Sequence, residues 1–142
     1  MKFKCFKPLT ALCLFLFLGA DIFAGVSVIV HPDNPNTTLE AKDLQKIFLG
    51  KTKKFPSGDK VVPIDLSQDS QTKAAFYEGI IKKKMSQLTA YWSKLIFTGK
   101  AQPPKAVSSE EEAIKYVSEN PDAIAYVDSS KVTDKVKVIY QY

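Results

Sequence analysis

Val61-Val62-Pro63-Ile64-Asp65-Leu66-Ser67-Gln68-Asp69-Ser70-Gln71-Thr72 is the stretch from which the rest of the chain can be read. Its apolar first half, closed by a polar cluster, has the length and β-branched content of a short buried strand. Ala75, Phe76, Gly79 and Ile80 then recur at helical spacing, so the strand passes through a polar turn directly into a helix. The first N–H groups of such a helix have no carbonyl one turn earlier to bond. Its aligned peptide dipoles leave roughly half a positive charge at that end. Ser67, Ser70 and Thr72 add hydroxyl donors to the same space. The outline is that of an anion site, while Ser and Thr are equally the ordinary caps of any helix.

Upstream, the chain opens Met1-Lys2-Phe3-Lys4-Cys5-Phe6-Lys7, runs through apolar residues from Leu9 to Ala20 and reaches Ile22-Phe23-Ala24 before Gly25. A basic start, a short apolar stretch and a small residue at the cut predict a secretory signal peptide over residues 1–24. The run is short for a bilayer span and Asp21 interrupts it, so no stable membrane insertion is expected after cleavage. The expected product, residues 25–142, suits one domain with its own core and leaves no room for two full lobes. Cys5 and Cys13 both fall in the leader. The product is therefore expected to lack thiols, disulfides and thiolate metal sites.

The formal charge is +5, and loss of Lys2, Lys4, Lys7 and Asp21 with the leader lowers it to +3. That balance does not point to nucleic acid. Every one of the 20 basic residues is lysine. With no guanidinium for bidentate recognition, an anion must be held by backbone amides, hydroxyls and ammonium groups.

Along the chain, Val26 to Val30 reads as a strand, and His31-Pro32-Asp33-Asn34-Pro35-Asn36 as a loop set by two prolines. Thr37 with Glu40 suggests a capping box for a helix that buries Leu44, Ile47 and Phe48 and stops at Gly50. The helix after the opening stretch runs to Lys82-Lys83-Lys84, charges that suit a helix C-terminus. Ser86 is then expected to cap a helix whose Leu88, Tyr91, Trp92, Leu95 and Ile96 form a core stripe ending at Gly99. Lys100 to Lys105 reads as an extended loop. Ser108-Ser109-Glu110-Glu111-Glu112 opens a further helix with acidic residues where the dipole favours them, and Asn120-Pro121 closes it. Ala123 to Val127 and Val136 to Tyr140 are the last strands. The order β-α-β-α-α-α-β-β implies a mixed sheet covered by helices.

Little catalytic chemistry is available. One histidine, His31, and no cysteine beyond the leader leave no His pair for zinc, no Cys-His pair and a single combination of serine with histidine. Neither a metal nor a cofactor is expected. Gly50-Lys51-Thr52 imitates the tail of a phosphate-binding P-loop, yet Gln45 stands where the leading glycine is required and the triplet ends a helix instead of starting one. Asn36-Thr37-Thr38 is a glycosylation sequon, relevant only in a eukaryotic secretory route.

Four segments together carry a resemblance: Leu44 to Lys51, Val62 to Asp65 with Ser67 to Thr72, Tyr91 to Lys100, and Ala123 to Asp128. Over residues 26 to 140 the chain resembles the phosphate-type substrate-binding proteins of ABC transporters, and within them the short, single-lobe exported members. The resemblance implies an α/β fold, a single lobe of the type 2 periplasmic binding protein-like kind with a mixed sheet flanked by helices. It also implies a periplasmic location, no catalysis, and binding of inorganic phosphate or a similar oxyanion, with an ABC permease or another envelope protein as partner. The family's anion loop runs Arg, Ser, Asp, Gly, Ser, Gly, Thr. Here Leu66 stands at the arginine, Ser67 is kept, Gln68 and Asp69 replace aspartate and glycine, Ser70 is kept, Gln71 replaces the second glycine and Thr72 is kept. The resemblance thus marks Ser67, Ser70, Gln71 and Thr72 as the expected oxyanion ligands. The loss of the guanidinium and the close-approach glycine implies weak binding. It favours the alternative of a non-enzymatic interaction module that keeps the fold without tight anion binding.

Overall fold

The computed structural model describes residues 23–142; the expected signal peptide lies almost wholly outside them. The chain forms β1 (Val26–Val30), α1 (Ala41–Phe48), β2 (Val62–Leu66), α2 (Gln71–Phe76) continuing as a π-helical turn (Tyr77–Ile81), α3 (Met85–Phe97), β3 (Lys105–Val107), α4 (Glu110–Glu119), β4 (Ala123–Asp128) and β5 (Lys137–Gln141). Five strands make one mixed sheet in the order β3-β2-β4-β1-β5. The strand β2 lies parallel to β3 and β4, while β1 runs antiparallel to β4 and β5.

Pattern explains the order. All five residues of β1 and the first five of β4 are buried, as expected for strands covered on both faces. They pair from Val26 opposite Asp128 to Val30 opposite Ile124. Against β5 the register shifts between Val28 and Ile29, and the Ile139 carbonyl there accepts the Leu39 N–H at 3.3 Å. Helices α1 and α2 bring Phe48 and Phe76 onto Tyr126 of β4, with the Phe76 and Tyr126 rings stacked 3.9 Å apart. The Gln45 side chain donates to the Ile80 carbonyl at 3.0 Å. That bond supplies one carbonyl in the π-helical turn with a donor.

Several local expectations change. The helix α1 begins at Ala41, with the Glu40 N–H donating to the Asp43 carboxylate at 3.2 Å, because Leu39 is held in an extended segment by Ile139. Thr37 is therefore not the cap. The helix α3 begins at Met85 with Lys84 as its cap residue, its N–H donating to Gln87 at 3.0 Å, so Ser86 lies inside it. Within α3 only Leu88 and Trp92 are buried. Ile96 is 51% exposed, so the expected core stripe ends a turn early. Lys105 belongs to a strand, β3, where a loop was expected, because its backbone pairs with Ile64 on the sheet edge.

Candidate functional site

Beneath the β2–α2 junction lies a buried polar knot. Asp65 and Lys73, with side chains 6% exposed each, form an ion pair at 3.3 Å. Two buried phenols complete the carboxylate: Tyr77 donates to Oδ2 at 2.9 Å and Tyr126 donates to Oδ1. The Leu66 N–H donates to Asp65 Oδ1 at 2.8 Å, and Lys73 Nζ donates to the Leu66 carbonyl at 3.2 Å. A charge taken out of water is tolerated only with this degree of pairing. The knot fastens the last residue of β2 to the first turn of α2.

Burial, reinforced by the adjacent Asp65 charge, pushes both tyrosines well above their ordinary value. Unfolded tyrosine ionises near pH ~10. The folded phenols stay protonated there, so their contribution to stability is complete below that pH and declines as pH rises beyond it. The expected slope is about 1.4 kcal/mol per pH unit for each tyrosine. Denaturant titrations across the alkaline range should show this fall, and Tyr77→Phe should reduce its steepness; an equal slope in that variant would contradict the assignment.

Above the knot the chain turns. The Ser70 N–H donates to the Ser67 carbonyl at 3.0 Å, and Ser70 caps α2 by accepting the Lys73 N–H on Oγ at 3.1 Å. Capping uses an oxygen lone pair, leaving the Ser70 hydroxyl proton available to a ligand. Among the described residues the amides of Gln71 and Thr72 have no acceptor, as the first turn of a helix dictates. Ser67 differs: its hydroxyl donates to Asp69 Oδ1 at 2.7 Å, so its proton is already committed.

A second helix start faces the first. Leu66 of β2 is in register with Val107 of β3, so α2 and α4 both leave from the carboxyl ends of neighbouring parallel strands. That is where open α/β sheets hold ligands. Ser109 caps α4, accepting the Glu112 N–H at 3.1 Å, and the Ser108 N–H and hydroxyl both donate to the Glu112 carboxylate. Between the two starts is an open cleft of about 360 Å³. All four expected ligands, Ser67, Ser70, Gln71 and Thr72, line it, joined by Ser108 and Ser109 on the far wall.

The cleft also carries charge beyond the four expected ligands. Asp69, Glu110, Glu111 and Lys131 line it. Lys131 bridges Glu110 at 3.0 Å and Glu111 at 3.3 Å, and Glu110 accepts the Asp128 N–H at 2.8 Å. The Glu111 carboxyl lies below its ordinary range, held by its own backbone N–H and then by Lys131. Lys131 is raised by Glu110 first and Glu111 next. Three carboxylates thus face one ammonium, and that ammonium is already paired. Among the described residues no cluster of His, Cys, Asp and Glu could hold a metal ion, and no helix is long and apolar enough to cross a membrane.

No protein-family model and no curated protein matches the sequence. Solved structures do. One is from Clostridium perfringens, described as a "putative phosphate ABC transporter substrate-binding protein" with bound phosphate; it is 24% identical, with a TM-score of 0.64 over 81% of this chain and 44% of that one. An ABC-type phosphate transport receptor from Vibrio cholerae is 18% identical, with a TM-score of 0.63 over 81% and 45%. PstS from Borrelia burgdorferi is 18% identical, with a TM-score of 0.60 over 81% and 46%. The chain thus has the α/β fold expected from the resemblance and spans less than half the length of these proteins.

Proposed function

We propose that this chain is a non-catalytic, solute-binding-type module that takes phosphate or a similar oxyanion weakly in the cleft between α2 and α4. The observation that carries the reading is the convergence of uncommitted donors. The amides of Gln71 and Thr72 and the hydroxyl protons of Ser70 and Ser109 border one cleft, in a fold that the Clostridium protein shares and in which it was solved with phosphate. Several backbone and hydroxyl donors can hold an oxyanion without arginine. Residues 1–24 make it an exported, periplasmic protein in this reading, working beside an ABC permease or another envelope protein.

Amide-resolved NMR titration with phosphate, sulfate and chloride at fixed ionic strength tests it. Saturable shifts confined to residues 67–73 and 108–110 are expected with the oxyanions and not with chloride. The variant Ser70→Gly/Thr72→Val keeps a tolerated cap and the side-chain volume, so it should fold while losing roughly tenfold in affinity through two lost hydroxyl donors. Unchanged affinity would remove Ser70 and Thr72 from the site.

A specific observation favours the second reading, an interaction module that has lost anion binding: Asp69, Glu110 and Glu111 all border the cleft, and carboxylates oppose an anion. Absence of localised shifts with phosphate would decide for it.

A further inference from the structure

A second concavity lies at the opposite end of β2. Leu66 borders the oxyanion cleft, whereas Val62 and Pro63 border this groove of about 460 Å³. Along the strand the two are roughly 13 Å apart. The walls are apolar, formed by Trp92 of α3, Pro63, and Pro103 and Pro104 of the loop entering β3. Every charged residue at its border is a lysine, namely Lys53, Lys100 and Lys105, and no carboxylate lines it. Lys53 and Lys100 form no ion pair among the described residues, whereas the Lys105 ammonium lies over the Tyr116 ring at 5.2 Å and, after the Ser108 hydrogen bonds, its charge helps lower the Glu112 carboxyl. An apolar trough flanked by two unpaired cations, Lys53 and Lys100, is complementary to one kind of occupant.

We propose that this groove docks an acidic segment of a partner protein, an apolar anchor entering between Trp92 and the prolines while flanking carboxylates meet Lys53 and Lys100. Charge complementarity steers such an encounter, and aromatic-walled pockets give an anchor most of its binding energy. A concave site suits a peptide chain better than a lipid surface. A membrane would instead meet the end of α3, where Phe97 is 92% exposed. The inference is independent of the oxyanion cleft.

Trp92 is the single tryptophan of the chain, so its fluorescence reports occupancy of the groove directly. The probe is a short synthetic peptide with two central leucines between runs of glutamate, added to the whole protein. A saturable fluorescence change is expected, absent when the glutamates are replaced by lysines. Lys53→Glu/Lys100→Glu, both at exposed loop positions, should weaken binding roughly tenfold and leave thermal stability and the phosphate titration unchanged. Three results would overturn the proposal. The first is no saturable change with the acidic peptide. The second is binding to anionic phosphatidylglycerol vesicles that Phe97→Ser abolishes, with no peptide response. The third is self-association that the peptide does not compete, which would make a second copy the occupant.

Discussion

Lys73→Met is expected to destabilise the protein by about 3–5 kcal/mol, the largest effect of any single substitution at the site. The variant leaves the Asp65 carboxylate buried with two phenols and one amide but no cation. It also leaves the Leu66 carbonyl without its Lys73 partner. Asp65→Asn should cost a comparable amount, because a buried ammonium then lacks its counter-charge. The double variant Asp65→Asn/Lys73→Met removes both charges and should be more stable than the sum of the single losses implies. A positive coupling of about 2 kcal/mol or more in a urea-denaturation cycle would establish the pair. Simple additivity would mean the charges act independently. Because domains are stable by only about 5–15 kcal/mol, either single variant is expected to be partly unfolded at elevated temperature, and the double variant supplies the measurement where a single one does not fold.

This knot also shows what the sequence does and does not disclose. Val26 to Val30, Val61 to Leu66 and Ala123 to Val127 are largely apolar runs bounded by turn residues, and strands are found at Val26–Val30, Val62–Leu66 and Ala123–Asp128. Asp65 within such a run carries a signal that the sequence reading passed over, since a carboxylate in a buried strand requires partners. Its partners were not visible. Lys73 reads as an ordinary surface lysine, and Tyr126 lies 61 residues away. The strand β3 was hidden because three residues between Pro104 and Ser108 carry one buried side chain, Val107. Without it, nothing aligned Ser109 with Ser70, and the far wall of the cleft stayed out of sight. Thr37 failed as a cap for the same reason. A long-range bond from Leu39 to Ile139 fixes the backbone, and tertiary context overrides local propensity. Local pattern thus brought the near-wall residues into one turn, while pairing between distant segments built the rest of the cleft.

On the proposed oxyanion reading, Asp69→Gly is expected to raise affinity for the anion roughly tenfold or more. Two contributions act in the same direction. By Coulomb's law a unit charge about 4 Å away costs an anion about 1 kcal/mol in water-like surroundings, and more for a dianion, so removing the Asp69 charge is worth an amount of that order. Removing the acceptor also frees the Ser67 hydroxyl, now donating to Asp69 at 2.7 Å, to donate to the ligand instead; one such hydrogen bond is worth about 1 kcal/mol. Asp69 is exposed and its own hydrogen bond lies at the surface, so the fold should survive the change. The two contributions separate in the double variant Asp69→Gly/Ser67→Ala, which keeps the electrostatic gain and loses the hydroxyl. Phosphate titration by NMR or calorimetry reads both. An affinity gain that Ser67→Ala halves on a logarithmic scale would place the anion between Ser67 and the α2 amides. No gain in either variant would mean that the cleft does not take the anion at all, and that its carboxylates face a different ligand.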